Sequence, residues 1–221
     1  MKRVIAVICA VKTLGLWALW FTGTSSTPPN PLVGAANAQQ SADIDISTIT
    51  EMVQGDENAP VTVIEYASYT CPHCASFHAG PYKQLKADYI DTGKVRFVYR
   101  EVYFDRFGLW ASMIARCAGP DRFFGVSDLL YSGQQTWARA GDPNQIVEEL
   151  RKIGRLAGVS DDELNACLQD ADKAQTLVAW YQANAEADDI TSTPTFIIDG
   201  TKYSNLSYDD MSARIETALG N

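Results

Sequence analysis

The stretch Tyr66 to His78, YASYTCPHCASFH, places Cys71 and Cys74 three positions apart with Pro72 and His73 between them. Positions three apart on a helix share a face, and their Cα separation is one that a disulfide can bridge, so the two thiols can pair without rebuilding the backbone. Pro72 suits the first position of a helix and follows a strand-like run. That puts Cys71 at the helix N-terminus, where unpaired amides and the helix dipole favour a thiolate. Cys71 then reads as the nucleophile of thiol–disulfide exchange and Cys74, a turn deeper, as the resolving thiol. A helix terminus contributes at most about 2 kcal/mol, and about 1.4 kcal/mol corresponds to roughly 30 mV for a two-electron couple. The dipole alone therefore moves the potential by tens of millivolts, and His73 or amide hydrogen bonds must supply the rest in a strong oxidant.

Other readings of the same residues stay open at this point. A zinc site could use Cys71, Cys74 and His78, but the second histidine of the chain, His73, is squeezed between the cysteines, so a fourth ligand must come from a carboxylate or a distant cysteine. A purely structural disulfide is a second alternative. His78, one turn beyond Cys74, reads as a packing or surface residue. Glu65 falls on the same strand face as Val61, Val63 and Ala67, which aims it at apolar surroundings where a carboxylate could relay a proton to Cys74. The alternative for Glu65 is an edge position or an ion pair with Arg100 or another base. In STPTF, Thr193 precedes Pro194 at a strand start, where a cis peptide could present backbone groups to an extended substrate.

These residues need elements to hold them. APVTVIEYAS reads as a strand, the segment from Cys71 to Gly93 has helical spacing with a kink at Pro81, and KVRFVYREVYF reads as a second strand, together a parallel strand, helix, strand unit. From about Asp105 to Asp189 the pattern is helical, with Asp142 capping before Pro143 and capping-box spacing from Ser160 to Glu163. Strand chemistry returns in TPTFIID and TKY around Gly200, and Ser207 opens a last helix. Residues 39–54 read as a polar leader to the first strand.

The chain has 221 residues, enough to bury a full core. Lys2 and Arg3 precede an apolar run, and small residues follow near GAANAQQ, the order of an export signal cleaved after Ala38. An uncleaved membrane tether is the alternative, but Lys12 interrupts the apolar run. Losing residues 1–38, with their three bases and no acid, takes the net charge from −9 to −12, which argues against nucleic acid or anionic lipid as a partner. Cys9 would leave with the signal. Cys71, Cys74, Cys117 and Cys167 remain, an even number that suits two disulfides in an oxidising compartment.

With CPHC at one end and TPTF at the other, the chain resembles the DsbA-type thiol:disulfide interchange proteins of the thioredoxin superfamily. The resemblance runs from GDENAPVTVIEYASYTCPHC to STPTFIIDGTKYSNLSYDDMSARIETAL. It implies an α/β thioredoxin fold with an inserted all-helical domain: signal peptide at 1–38, thioredoxin domain in two parts at 39–104 and 191–221, helical insertion at 105–190. It implies Cys71 as nucleophile and Cys74 as resolving cysteine, with Pro72 and His73 in the motif, His73 stabilising the thiolate, Glu65 as buried acid, Thr193 contacting substrate and a cis Pro194 facing the dithiol. The expected clients are reduced, unfolded or partly folded secreted proteins. A DsbB-type membrane protein is the expected reoxidant, and the protein is expected to be a periplasmic monomer with no cofactor or metal beyond the Cys71–Cys74 couple. A departure is the extra pair Cys117 and Cys167, either a structural staple or a device that tunes the first site. The function expected is disulfide donation; a reductase or isomerase of the same superfamily and a non-catalytic, disulfide-stapled binding module are the alternatives.

Overall fold

The computed structural model of the chain describes residues 44–220; the expected export signal, Cys9 and the cleavage point after Ala38 lie outside them. The β-branched run gives β2 (Val61–Ala67), paired in parallel with β3 (Val95–Glu101) from Val61 opposite Val95 to Ala67 opposite Glu101. A short antiparallel strand, β1 (Met52–Gln54), edges β3, while β4 (Thr195–Ile198) runs antiparallel along the other side of β2 and β5 (Thr201–Ser204) along β4. The order β1-β3-β2-β4-β5 makes β2 the central strand. The β4–β5 turn is Asp199-Gly200, both at positive φ (45° and 80°), the conformation that a two-residue hairpin requires and that Asp-Gly tolerates.

The polar leader expected over 39–54 is corrected here. Within it lie β1 and a single 3-10 turn, Ile46–Thr48, and both Ile49 and Met52 are buried. Three-residue elements are too short for a periodicity test, and β1 exists because β3 offers it an edge.

α1 (Pro72–Ala79) starts at Cys71 and stops at Gly80, where the backbone leaves the helical region; α2 (Pro81–Leu85) resumes after it and widens over Lys86–Ile90. The break is sharper than a proline kink, because Gly80 and Pro81 act together. Between β3 and β4 come six helices: α3 (Arg106–Cys117), α4 (Pro120–Ser132), α5 (Gln134–Trp137), α6 (Pro143–Leu156), α7 (Asp161–Gln169) and α8 (Ala171–Ala187). Asp142 with Gln145 and Ser160 with Glu163 form the reciprocal caps that the sequence spacing announces, and Ser207 caps α9 (Tyr208–Ala218). No helix among the described residues is long and apolar enough to cross a membrane.

This is a thioredoxin fold with helices inserted between β3 and β4. Val61, Val63, Glu65 and Ala67 of β2 face one main core with α1, α2, α4 and α9; Ile49, Met113, Leu177 and Trp180 form a second core under α8. The insertion is anchored to the sheet by a buried pair in which Arg116 of α3 donates two hydrogen bonds to Glu101 of β3, at 2.6 and 2.7 Å, and a third to the Thr50 carbonyl at 2.9 Å. Cys117 of α3 and Cys167 of α7 are joined by a disulfide, with Cα atoms 6.0 Å apart.

Candidate active site

Cys71 is the N-cap residue of α1 and Pro72 its first helical residue, so the peptide N–H groups of the first turn point toward the Cys71 sulfur. Both cysteines are reduced and buried; Cys71 keeps 8% of its surface exposed and Cys74 none. The Cys71 thiol is brought down from 9.0 to about 5, first by the hydrogen bond from the Cys74 thiol, then by the Thr193 side chain and by the backbone N–H groups of Cys74 and His73, against the opposing effect of burial. Burial acts the other way on Cys74 and pushes its thiol far up, with the nearby Cys71 and the charge of Glu65 adding to it. One sulfur is set to be an anion and the other to hold a proton.

His73 contributes through its backbone amide, and its side chain is exposed. The Thr193-Pro194 bond is cis, and the Thr193 carbonyl accepts a hydrogen bond from Cys71 Sγ at 3.5 Å. The Thr193 hydroxyl is buried and has no hydrogen-bond partner within the described residues that meets ordinary geometry, yet it lies near enough to the sulfur to favour the thiolate.

Glu65 is fully buried, near enough to the resolving cysteine for its charge to act on the Cys74 thiol. The edge-position reading falls because β2 is central, and Arg100 pairs instead with Glu51 (2.6 Å) and Asp188 (3.0 Å) on the other face of the sheet; the reading of a pair with another base holds, with His78 as that base. The partner of Glu65 is His78, whose Nε2 lies 2.9 Å from Oε2. Of the packing and surface readings of His78 the first holds: it lies in the core, as half of a buried polar pair. Its spacing four residues from Cys74 on one helix face was the available signal. This pairing also turns the imidazole away from the zinc arrangement considered for Cys71, Cys74 and His78, and among the described residues no group of three or more potential ligands converges.

Further functional residues come from the insertion, where sequence spacing gives no hint. Gln134, at the start of α5, is buried and donates from Nε2 to the carbonyls of Tyr69 (2.8 Å) and Cys71 (2.9 Å). Asp105 caps α3 through Phe107 and Gly108 and accepts from the Thr70 hydroxyl at 2.8 Å. Together they fix the loop that carries the nucleophile. Beside it an open cavity of about 250 Å³ is bounded by Thr70, Pro72, Phe107, Gln135 and Arg139, and Phe104, 58% exposed, precedes Asp105 at its edge in sequence.

The family model described as Thioredoxin matches residues 47–217. A protein of Rickettsia bellii named as a protein-disulfide oxidoreductase is 36% identical over 170 residues, 76% of this chain and 64% of that protein. Disulfide bond formation protein D of Bacillus subtilis is 26% identical over 179 residues, 76% of either chain. The chain thus spans a little under two thirds of the length of the rickettsial relative. Among solved structures, Wolbachia pipientis alpha-DsbA1 superposes with a TM-score of 0.70 at 26% identity, over 77% of this chain and 92% of that one. BdbD from Bacillus subtilis shares the fold, with a TM-score of 0.67 at 24% identity over 77% and 94% of the two chains. A family match across the whole five-stranded sheet, joined to a CPHC helix start facing a Thr-Pro loop, places this chain in the thioredoxin superfamily as a DsbA-type protein.

Proposed function

We propose that the protein is an exported thiol:disulfide oxidase that donates the Cys71–Cys74 disulfide to reduced secreted proteins. A client thiolate attacks Cys71, a mixed disulfide forms there, and a second client thiol releases a client disulfide and leaves the dithiol reduced. The observation that carries this reading is the asymmetry of the two thiols. Everything that holds the Cys71 thiolate down to about 5 is realised only when the pair is reduced, so it favours the dithiol over the disulfide, as an oxidant requires. The hydrogen bonds from the Cys74 thiol and the first-turn amides, with the nearby Thr193 hydroxyl, are contributions beyond the bare helix dipole.

Clients would be unfolded or partly folded chains, since Cys71 is only slightly exposed and an extended segment can reach it beside Thr193. A DsbB-type membrane protein would reoxidise the dithiol, and the working form would be a monomer in the periplasm. No cofactor beyond the dithiol enters this cycle. Equilibrating the Cys71–Cys74 couple against glutathione tests the reading: an oxidising potential is expected, whereas a strongly reducing one transfers the protein to the reductase and isomerase class. Cys71→Ser should abolish disulfide transfer and Cys74→Ser should accumulate mixed disulfides on Cys71. Normal transfer by Cys71→Ser would overturn the assignment of the nucleophile, and inert thiols in both assays would indicate a binding module.

A further inference from the structure

We propose that His78 is a positioning residue for proton transfer at Cys74: it holds the Glu65 carboxyl near the resolving thiol and shares that group's proton. The inference rests on the thiol–disulfide exchange reading above and adds a residue to it. Cys74 and His78 lie one turn apart on the buried face of α1. The imidazole is clamped by ring contacts, stacked on Tyr131 with centroids 4.2 Å apart and planes at 17°, with Tyr82 at 4.6 Å and Phe77 edge-on at 5.5 Å. That leaves Nε2 aimed at Glu65 Oε2, 2.9 Å away, with both residues at most 2% exposed.

The other carboxyl oxygen, Oε1, is buried with no hydrogen-bond partner among the described residues, and none of them contributes a lysine or arginine to Glu65. A buried carboxylate with one partner is a costly anion, and one proton shared with an imidazole relieves that cost. The titratable groups facing the pair are Cys74 from α1, Tyr82 from α2, Tyr99 from β3 and Tyr131 from α4, and the exposed Asp128 of α4 acts on Tyr82. Burial holds all three tyrosine hydroxyls neutral through the physiological range, so none of them competes as an acceptor for the Cys74 proton.

Attack by a client thiolate forms a bond to Cys71 Sγ and breaks the Cys71–Cys74 bond. The electron pair of that bond goes to Cys74, and the proton held between Glu65 and His78 passes to the buried sulfur. In reverse, Cys74 returns its proton to the pair and attacks the mixed disulfide at Cys71, expelling the client as a thiolate.

That reverse step isolates the inference. The full-length protein carrying a chromogenic aromatic thiol as a mixed disulfide on Cys71 releases the coloured thiolate when Cys74 attacks, in whichever direction the enzyme works. His78→Phe should slow release about 10²-fold at neutral pH and leave a rate that rises in proportion to hydroxide where the wild type levels off. His78→Gln retains a donor for Glu65 without a titrating ring. It should melt like the wild type, alkylate at Cys71 at the same rate and still show the altered pH profile, matching Glu65→Gln. A wild-type rate and pH profile in His78→Gln overturns the proposal, and this variant decides the matter where His78→Phe does not fold. A reducing potential would sink the oxidase reading yet leave this test standing, because resolution by Cys74 is common to oxidase, reductase and isomerase.

Discussion

Cys71 and Cys74 carry the same side chain, and their surroundings send the two thiols in opposite directions. The largest single contribution to the Cys71 thiolate is the hydrogen bond from the Cys74 thiol, ahead of the helix amides. Alkylation of Cys71 in the reduced protein should therefore titrate with a midpoint near pH 5, and Cys74→Ala should move that midpoint up toward the ordinary value of 9.0. A Cys74→Ala midpoint equal to the wild type would mean that the amides of α1 dominate. The nucleophile was legible in the sequence because Pro72 marks a helix start and the cysteine before it must be the cap. His73 was legible as a residue beside the thiolate, and it is its backbone N–H that reaches the sulfur. His78 was legible only as a packing or surface position, since a one-dimensional pattern shows that a residue shares a face with Cys74 but not which strand residue it meets.

At the scale of elements, local chemistry announced most of the helix starts and the main strands. Asp142-Pro143, the Ser160–Glu163 box and Ser207 all cap helices where their types and spacing require. What escaped were contacts between distant elements: β1, which exists only as an edge on β3, and Gln134, which sits 63 residues from Cys71 in sequence and bonds its carbonyl. Gln134→Leu should strand two carbonyls in the interior and lower stability by about 1–3 kcal/mol, read from the urea midpoint, together with slower alkylation of Cys71 as the loop loosens. An unchanged midpoint would show that the loop is held by Asp105 and Thr70 alone. The Cys117–Cys167 bridge ties α3 to α7 across 50 residues. Chain entropy assigns such a closure about 4 kcal/mol, so Cys117→Ala/Cys167→Ala should unfold at a markedly lower urea concentration. A loss below about 1 kcal/mol would mean that the unbridged denatured chain is already compact there.

The whole molecule integrates these effects in the difference between its two redox states. The Cys71–Cys74 disulfide closes so short a loop that its entropic advantage is only about 2 kcal/mol, while the reduced protein gains from every contact that favours the Cys71 thiolate. Folding lowers the Cys71 pKa, so the unfolded chain binds more protons than the native one across the interval between about 5 and 9.0, and the stability of the reduced form rises with pH through it. That contribution is fully present above the unfolded value and is lost as pH falls through the folded value near 5, whereas the oxidised form has no active-site thiol to titrate. The Cys117→Ala/Cys167→Ala background is the right one for the comparison, because reducing the second disulfide would otherwise subtract its own larger closure entropy. In that background the reduced protein should melt above the oxidised one at neutral pH. The gap should narrow on acidification and reverse as pH approaches 5, where only the short-loop constraint is left to favour the oxidised form. An oxidised form that melts higher at neutral pH would show that the thiolate contacts are weaker than loop closure, and would remove the thermodynamic basis for disulfide donation.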